Sequence, residues 1–102
     1  MSDFERIGSL SALQAGKPLL ATVAGLKLAV FWNDGQVIVT NDKCLHAAGP
    51  LHKGEVKGGS VTCPWHGWSY DLKTGVCEED PERILTFYEV SVVGDDILVK
   101  PQ

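Results

Sequence analysis

Cys44-Leu45-His46 and Cys63-Pro64-Trp65-His66 each pair a thiolate donor with an imidazole donor. Sixteen residues separate the two clusters, so two Cys and two His fall within 23 positions. A set of that kind in so short a span is first of all a metal site. Its order bears on which metal. A zinc finger usually places both cysteines in one knuckle and both histidines in another. Here each loop offers one soft sulfur and one borderline nitrogen, so two metal atoms can each collect a matched pair across the loops.

C-x-H-x16-C-x2-H, with Gly49-Pro50 in the first loop and Pro64-Trp65-His66-Gly67 in the second, resembles the cluster-binding signature of Rieske [2Fe–2S] proteins. The specific likeness runs from Cys44 to about Gly75, and the remainder fits that family by strand pattern only. The resemblance implies one [2Fe–2S] cluster, with Cys44 and Cys63 on the inner iron and His46 and His66 on the outer. It also places Gly49, Trp65, Gly67, Trp68 and Tyr70 around the cluster.

Charge explains what two imidazoles do for such a centre. Two ferric ions, two sulfides and four thiolates carry two negative charges. Replacing two thiolates by neutral imidazoles makes the oxidised cluster neutral, so an electron is added more easily. Rieske centres accordingly span about −150 to +300 mV, against about −400 mV for four-cysteine plant-type clusters. High-potential members of the family carry an extra Cys in each loop, joined as a disulfide. The matching positions are Gly49 and Trp65, which cannot form one. Those members also donate Ser and Tyr hydroxyls to cluster sulfurs. This chain has Trp68 at the Ser position and keeps Tyr70. One donor fewer to the electron-rich reduced form predicts a potential near the low end of the range.

The elements that must hold these loops read as strands. Phe4–Ile7 is an expected first strand, followed by a turn or short helix over Ser9–Gln14. Leu19–Val23 and Leu26–Trp32 form an expected hairpin turning at Ala24-Gly25, and Asn33-Asp34-Gly35 leads into Gln36–Thr40. Short extended pieces at Ser60–Cys63 and Ser69–Leu72 lie within a Gly-, Pro- and His-rich region, closed by a turn at Lys73-Thr74-Gly75. Thr86–Val93 and Asp96–Lys100 alternate with period two. The expectation is an all-β fold. A β-sandwich or barrel over residues 1–102 forms a single domain, with an inserted cluster-binding subdomain at about 42–75.

Composition narrows the function classes. With 102 residues and 44% apolar content the chain is long enough for one core. Nine basic against thirteen acidic residues, net −4, argue against nucleic acid and suit steering toward a basic redox partner. Glu78-Glu79-Asp80-Pro81-Glu82 is expected as solvated surface, and Lys43, Lys53 and Lys57 surround the first loop. The resemblance implies that Pro81 falls in a third loop covering the cluster. The opening residues lack a basic and an apolar region, and the apolar runs are too short to span a bilayer. A cytoplasmic protein with no membrane partner is therefore expected.

His52 is expected at the surface and Cys77 as a small packed hydrophobe. Gly49, Gly54, Gly67 and Gly75 are expected to serve loop geometry. No second set of two His and a carboxylate exists for a mononuclear iron, so the chain reads as an electron-transfer component and not an enzyme. By resemblance it would be a soluble ferredoxin, passing single electrons from an NAD(P)H-dependent reductase to a terminal oxygenase that dihydroxylates aromatic rings. A small subunit of an assimilatory nitrite reductase resembles the same pattern. A structural zinc domain that binds other proteins is the third reading, and ligand order disfavours it.

Overall fold

Two tight reversals shape the first half of the chain. Ala24 and Gly25 have φ of 52° and 80°, and Asp34 and Gly35 have 52° and 76°. Positive φ at both central residues is the hairpin turn whose twist matches that of the flanking strands. Both turns fall where the sequence placed them.

The computed structural model describes residues 4–42, 49–65 and 67–100. Its elements are β1 (Glu5–Ser9), α1 (Leu10–Gln14), β2 (Leu19–Val23), β3 (Leu26–Asn33), β4 (Gln36–Asn41), a 3-10 turn (Leu51–Lys53), β5 (Glu55–Lys57), β6 (Ser60–Thr62), β7 (Ser69–Asp71), β8 (Phe87–Val93) and β9 (Asp96–Lys100). The all-β expectation holds, and the single short helix lies where a turn or helix was expected. Ser9 caps it, its hydroxyl accepting the Ala12 N–H.

Six strands form an antiparallel sheet in the order β1-β9-β8-β4-β3-β2. Its end strands, β1 and β2, lie beside one another, so the sheet is nearly closed into a barrel. The remaining three, β5-β6-β7, form a second small sheet between β4 and β8 in the chain. Bridges from Tyr70 to Cys77 and from Val76 to Ile84 extend it. The sequence reading found β6 and β7 but not β5. Glu55-Val56-Lys57 carries a single apolar residue and gives almost no period-two signal.

β3 is the wall between the two parts. Successive side chains on a strand point to opposite faces, and Leu28, Ala29, Val30 and Phe31 are all fully buried. Leu28 and Val30 join Leu13, Val39, Ile97 and Val99 inside the barrel. Ala29 and Phe31 join Leu51, Val61, Cys63, Tyr70, Leu72 and Cys77 in a second core under the small sheet. Burying a side chain such as Leu, Val or Phe contributes about 1.5–3 kcal/mol, so β3 fastens the small sheet to the barrel through apolar contact.

Candidate metal centre

Cys63 stands at the tip of the β6–β7 hairpin. Its N–H donates to the Trp68 carbonyl at 2.7 Å, and the Gly67 N–H donates back to the Cys63 carbonyl at 3.2 Å. Gly67 takes φ of 73°, a backbone state that favours glycine. The tip is thereby pinched shut, with Trp65 and Gly67 bracketing position 66. The Cys63 side chain is buried, and its Sγ accepts the Trp65 N–H at 3.4 Å. A backbone N–H directed at sulfur stabilises negative charge there.

The first loop leaves β4 at Asp42, whose N–H donates to the Lys27 carbonyl at 2.9 Å. It returns through Gly49 and Pro50 to the 3-10 turn, where Leu51 is fully buried. Gly49 then meets the hairpin tip. A Cβ added there would stand 3.0 Å from the Trp65 ring and 3.1 Å from the Cys63 sulfur. The exit of one loop and the tip of the other are thus in contact at a buried cysteine. Cys44, His46 and His66 lie outside the described residues.

This arrangement fits a metal group shared by the two loops. One sulfur is buried with an N–H aimed at it, and glycine leaves space directly beside it. The sequence supplies the other thiol and both imidazoles from the same two loops.

The expected surrounding residues divide by depth. Tyr70 is fully buried and packs in the same core as Cys63. Trp68 is half-buried, with the Arg83 guanidinium 5.9 Å from its ring centre. Trp65 covers Gly49 and Cys63 with one side but is 51% exposed, so it shields only partly. Cys77 is a packed core residue as expected, hydrogen-bonded through Sγ to Glu79 Oε1 at 3.9 Å.

One expectation needs correction. His52 is half-buried and its ring is engaged, so it is not a free surface residue. Its backbone N–H donates to Asp42 Oδ1 at 2.6 Å and its Nδ1 lies 2.8 Å from Asp42 Oδ2. The acidic run is solvated surface as expected, with Glu78, Glu79, Pro81 and Glu82 exposed, and it also makes specific bonds. Glu78 accepts from Ser60 Oγ at 2.8 Å, Glu79 accepts the Ser69 N–H at 2.8 Å, and Asp80 pairs with Arg83 at 3.0 Å. These bonds lay the segment around Pro81 beside the second loop. The nearness of Asp42 to Cys44 was the one sequence signal for its role, and no spacing rule links it to His52. After β7, the Lys73 and then the Thr74 backbone N–H groups hold the Asp71 carboxyl below the usual aspartate range.

The sequence profile of the Rieske [2Fe–2S] domain family matches residues 4–99. Among curated relatives, the oxygenase component of a 3-ketosteroid-9-alpha-monooxygenase from Rhodococcus rhodochrous is 42% identical over 76 residues, 74% of this chain and 19% of that protein. The chain therefore spans about a fifth of that relative's length. The ferredoxin component of the naphthalene 1,2-dioxygenase system from Pseudomonas aeruginosa is 29% identical over 93 residues, 89% of this chain and 88% of that protein. Among solved structures, the ferredoxin of carbazole 1,9a-dioxygenase from Nocardioides aromaticivorans IC177 superposes with a TM-score of 0.88 at 28% identity, covering 99% of this chain and 100% of the other.

Proposed function

Since the chain belongs to the Rieske [2Fe–2S] domain family, we propose that it is a one-electron carrier, a ferredoxin serving a multicomponent oxygenase. Its cofactor is one [2Fe–2S] cluster of Rieske type. When bound, that group supplies a couple that accepts and releases a single electron. The ligands in this reading are Cys44 and Cys63 on one iron and His46 and His66 on the other. Residues 1–102 act as one domain.

The contact of Gly49 with Cys63 and Trp65 carries the reading, because it brings the two donor-bearing loops to one place. The likeness to ferredoxin components over nearly their whole length supports a carrier more than an oxygenase fragment. The ligand chemistry supports it too. All four donors come from protein, so no iron keeps an open position for substrate. Electrons would come from an NAD(P)H-dependent ferredoxin reductase and pass to a terminal oxygenase of the aromatic-ring dioxygenase type, in the cytoplasm.

The test is reconstitution of the purified iron-loaded protein with NADH, a flavin reductase and a terminal oxygenase. Visible absorption should bleach with the reductase and return when oxygenase and substrate are added. A redox titration should give a potential in the lower part of the Rieske range. A clearly positive value, or tight stoichiometric co-purification with a sirohaem enzyme, would overturn the carrier reading.

A further inference from the structure

Asp42 and His52 stand at the two ends of the first donor loop. Between them lie nine residues, Lys43 to Leu51, which include Cys44 and His46. One carboxylate ties both ends. Oδ1 accepts the His52 backbone N–H at 2.6 Å, and Oδ2 lies 2.8 Å from the His52 ring Nδ1. An ionised carboxylate only accepts hydrogen bonds, so Nδ1 carries the proton. The Asp42 side chain is 4% exposed and that of His52 16%, so water competes little for either.

Each end is anchored independently. The Asp42 N–H is held by the Lys27 carbonyl of β3 at 2.9 Å. Leu51, beside His52, is sunk in the second core. The pair therefore joins two fixed points and not two mobile ones. Tying a loop at its neck lowers the number of conformations open to the chain between its ends.

We infer that Asp42 and His52 are positioning residues, a clasp at the neck of the first loop that holds Cys44 and His46 in ligating position. The inference rests on the ligand assignment proposed above. Outer partners that orient metal ligands typically matter 10–100-fold to retention of the metal.

The experiment compares iron release to a ferrous chelator from reduced wild-type, His52→Ala and His52→Asn protein, together with the electron paramagnetic resonance of the reduced cluster. His52→Ala should release iron about tenfold faster and broaden the resonance. His52→Asn keeps an N–H donor near the Nδ1 position and should restore both toward wild type. Release from His52→Ala within about twofold of wild type would overturn the clasp. So would His52→Asn behaving like His52→Ala. If His52→Ala fails to assemble, His52→Asn decides alone: near-wild-type release upholds the clasp, and failure to hold iron overturns it. Wild-type protein without iron and acid-labile sulfide would instead refute the ligand assignment, which separates the two failures.

Discussion

Gly49 and Trp65 face one another across the two donor loops, close enough that a Cβ on Gly49 would stand 3.0 Å from the indole Cγ. These are the positions at which the high-potential members resembled here carry their disulfide. Cβ atoms in a disulfide lie about 3.5–4.5 Å apart, which this approach can meet with little backbone movement. The double variant Gly49→Cys, Trp65→Cys should close a disulfide under air, read as the loss of two hydrogens by intact mass. Persistence of two alkylatable thiols at those positions after oxidation would show that the loops are farther apart.

Substitution of Cys44, His46, Cys63 or His66 by Ala should abolish the visible absorption and iron binding. Hydrogen exchange should rise across residues 42–75, while the six barrel strands keep their protection. Cys77→Ala is the control. Its thiol belongs to the core, so iron content should stay unchanged, with a stability cost on the order of 1 kcal/mol. Full iron content in His46→Ala would remove that residue from the ligand set.

Tyr70 is fully buried in the same core as Cys63, and its place in the motif implies a hydroxyl directed at a cluster sulfur. Tyr70→Phe keeps the ring and removes the donor. The potential should fall and folding stability should drop by about 1 kcal/mol. A potential equal to that of the wild type, measured on a fully loaded variant, would detach the hydroxyl from the cluster.

Asp71 gives the pH prediction. Backbone N–H groups of Lys73 and Thr74 stabilise its charged form and depress its folded pKa. A depressed carboxyl adds stability above its unfolded pKa, about 3.9, and loses it as pH falls through the folded value. Asp71→Asn should therefore melt slightly lower than wild type at neutral pH, and the gap should narrow steadily below about pH 4. The effect is small because the group faces water. A gap that persists undiminished at acid pH would assign it to turn geometry and not to charge.

Local features were the legible ones. Ala24-Gly25 and Asn33-Asp34-Gly35 announced their hairpins because turn chemistry is confined to two or three residues. The alternation in Thr86–Val93 and Asp96–Lys100 announced their strands. The Cys and His spacing exposed the donors, since ligand type and order are written in the chain. What could not be read were pairings between distant segments. Val39 opposite Tyr88 and Arg6 opposite Leu98 close the sheet across long separations, and periodicity says nothing about partner choice. The same blindness hid the Asp42–His52 pair and the bonds that Glu78 and Glu79 make to Ser60 and Ser69. A carboxylate in a charged run stays exposed, as Glu78 and Glu79 do, and nothing local says which hydroxyl or N–H it meets.

The double-sided burial of β3 bears on what an iron-free chain would expose. If the donor loops slacken without their metal, Ala29 and Phe31 lose part of their cover while Leu28 and Val30 keep theirs. An otherwise intact barrel would then carry a bare greasy flank, a surface that invites self-association or chaperone capture. Colloidal behaviour, more than thermal denaturation, would then be the property that most sharply separates the iron-free form from the loaded one.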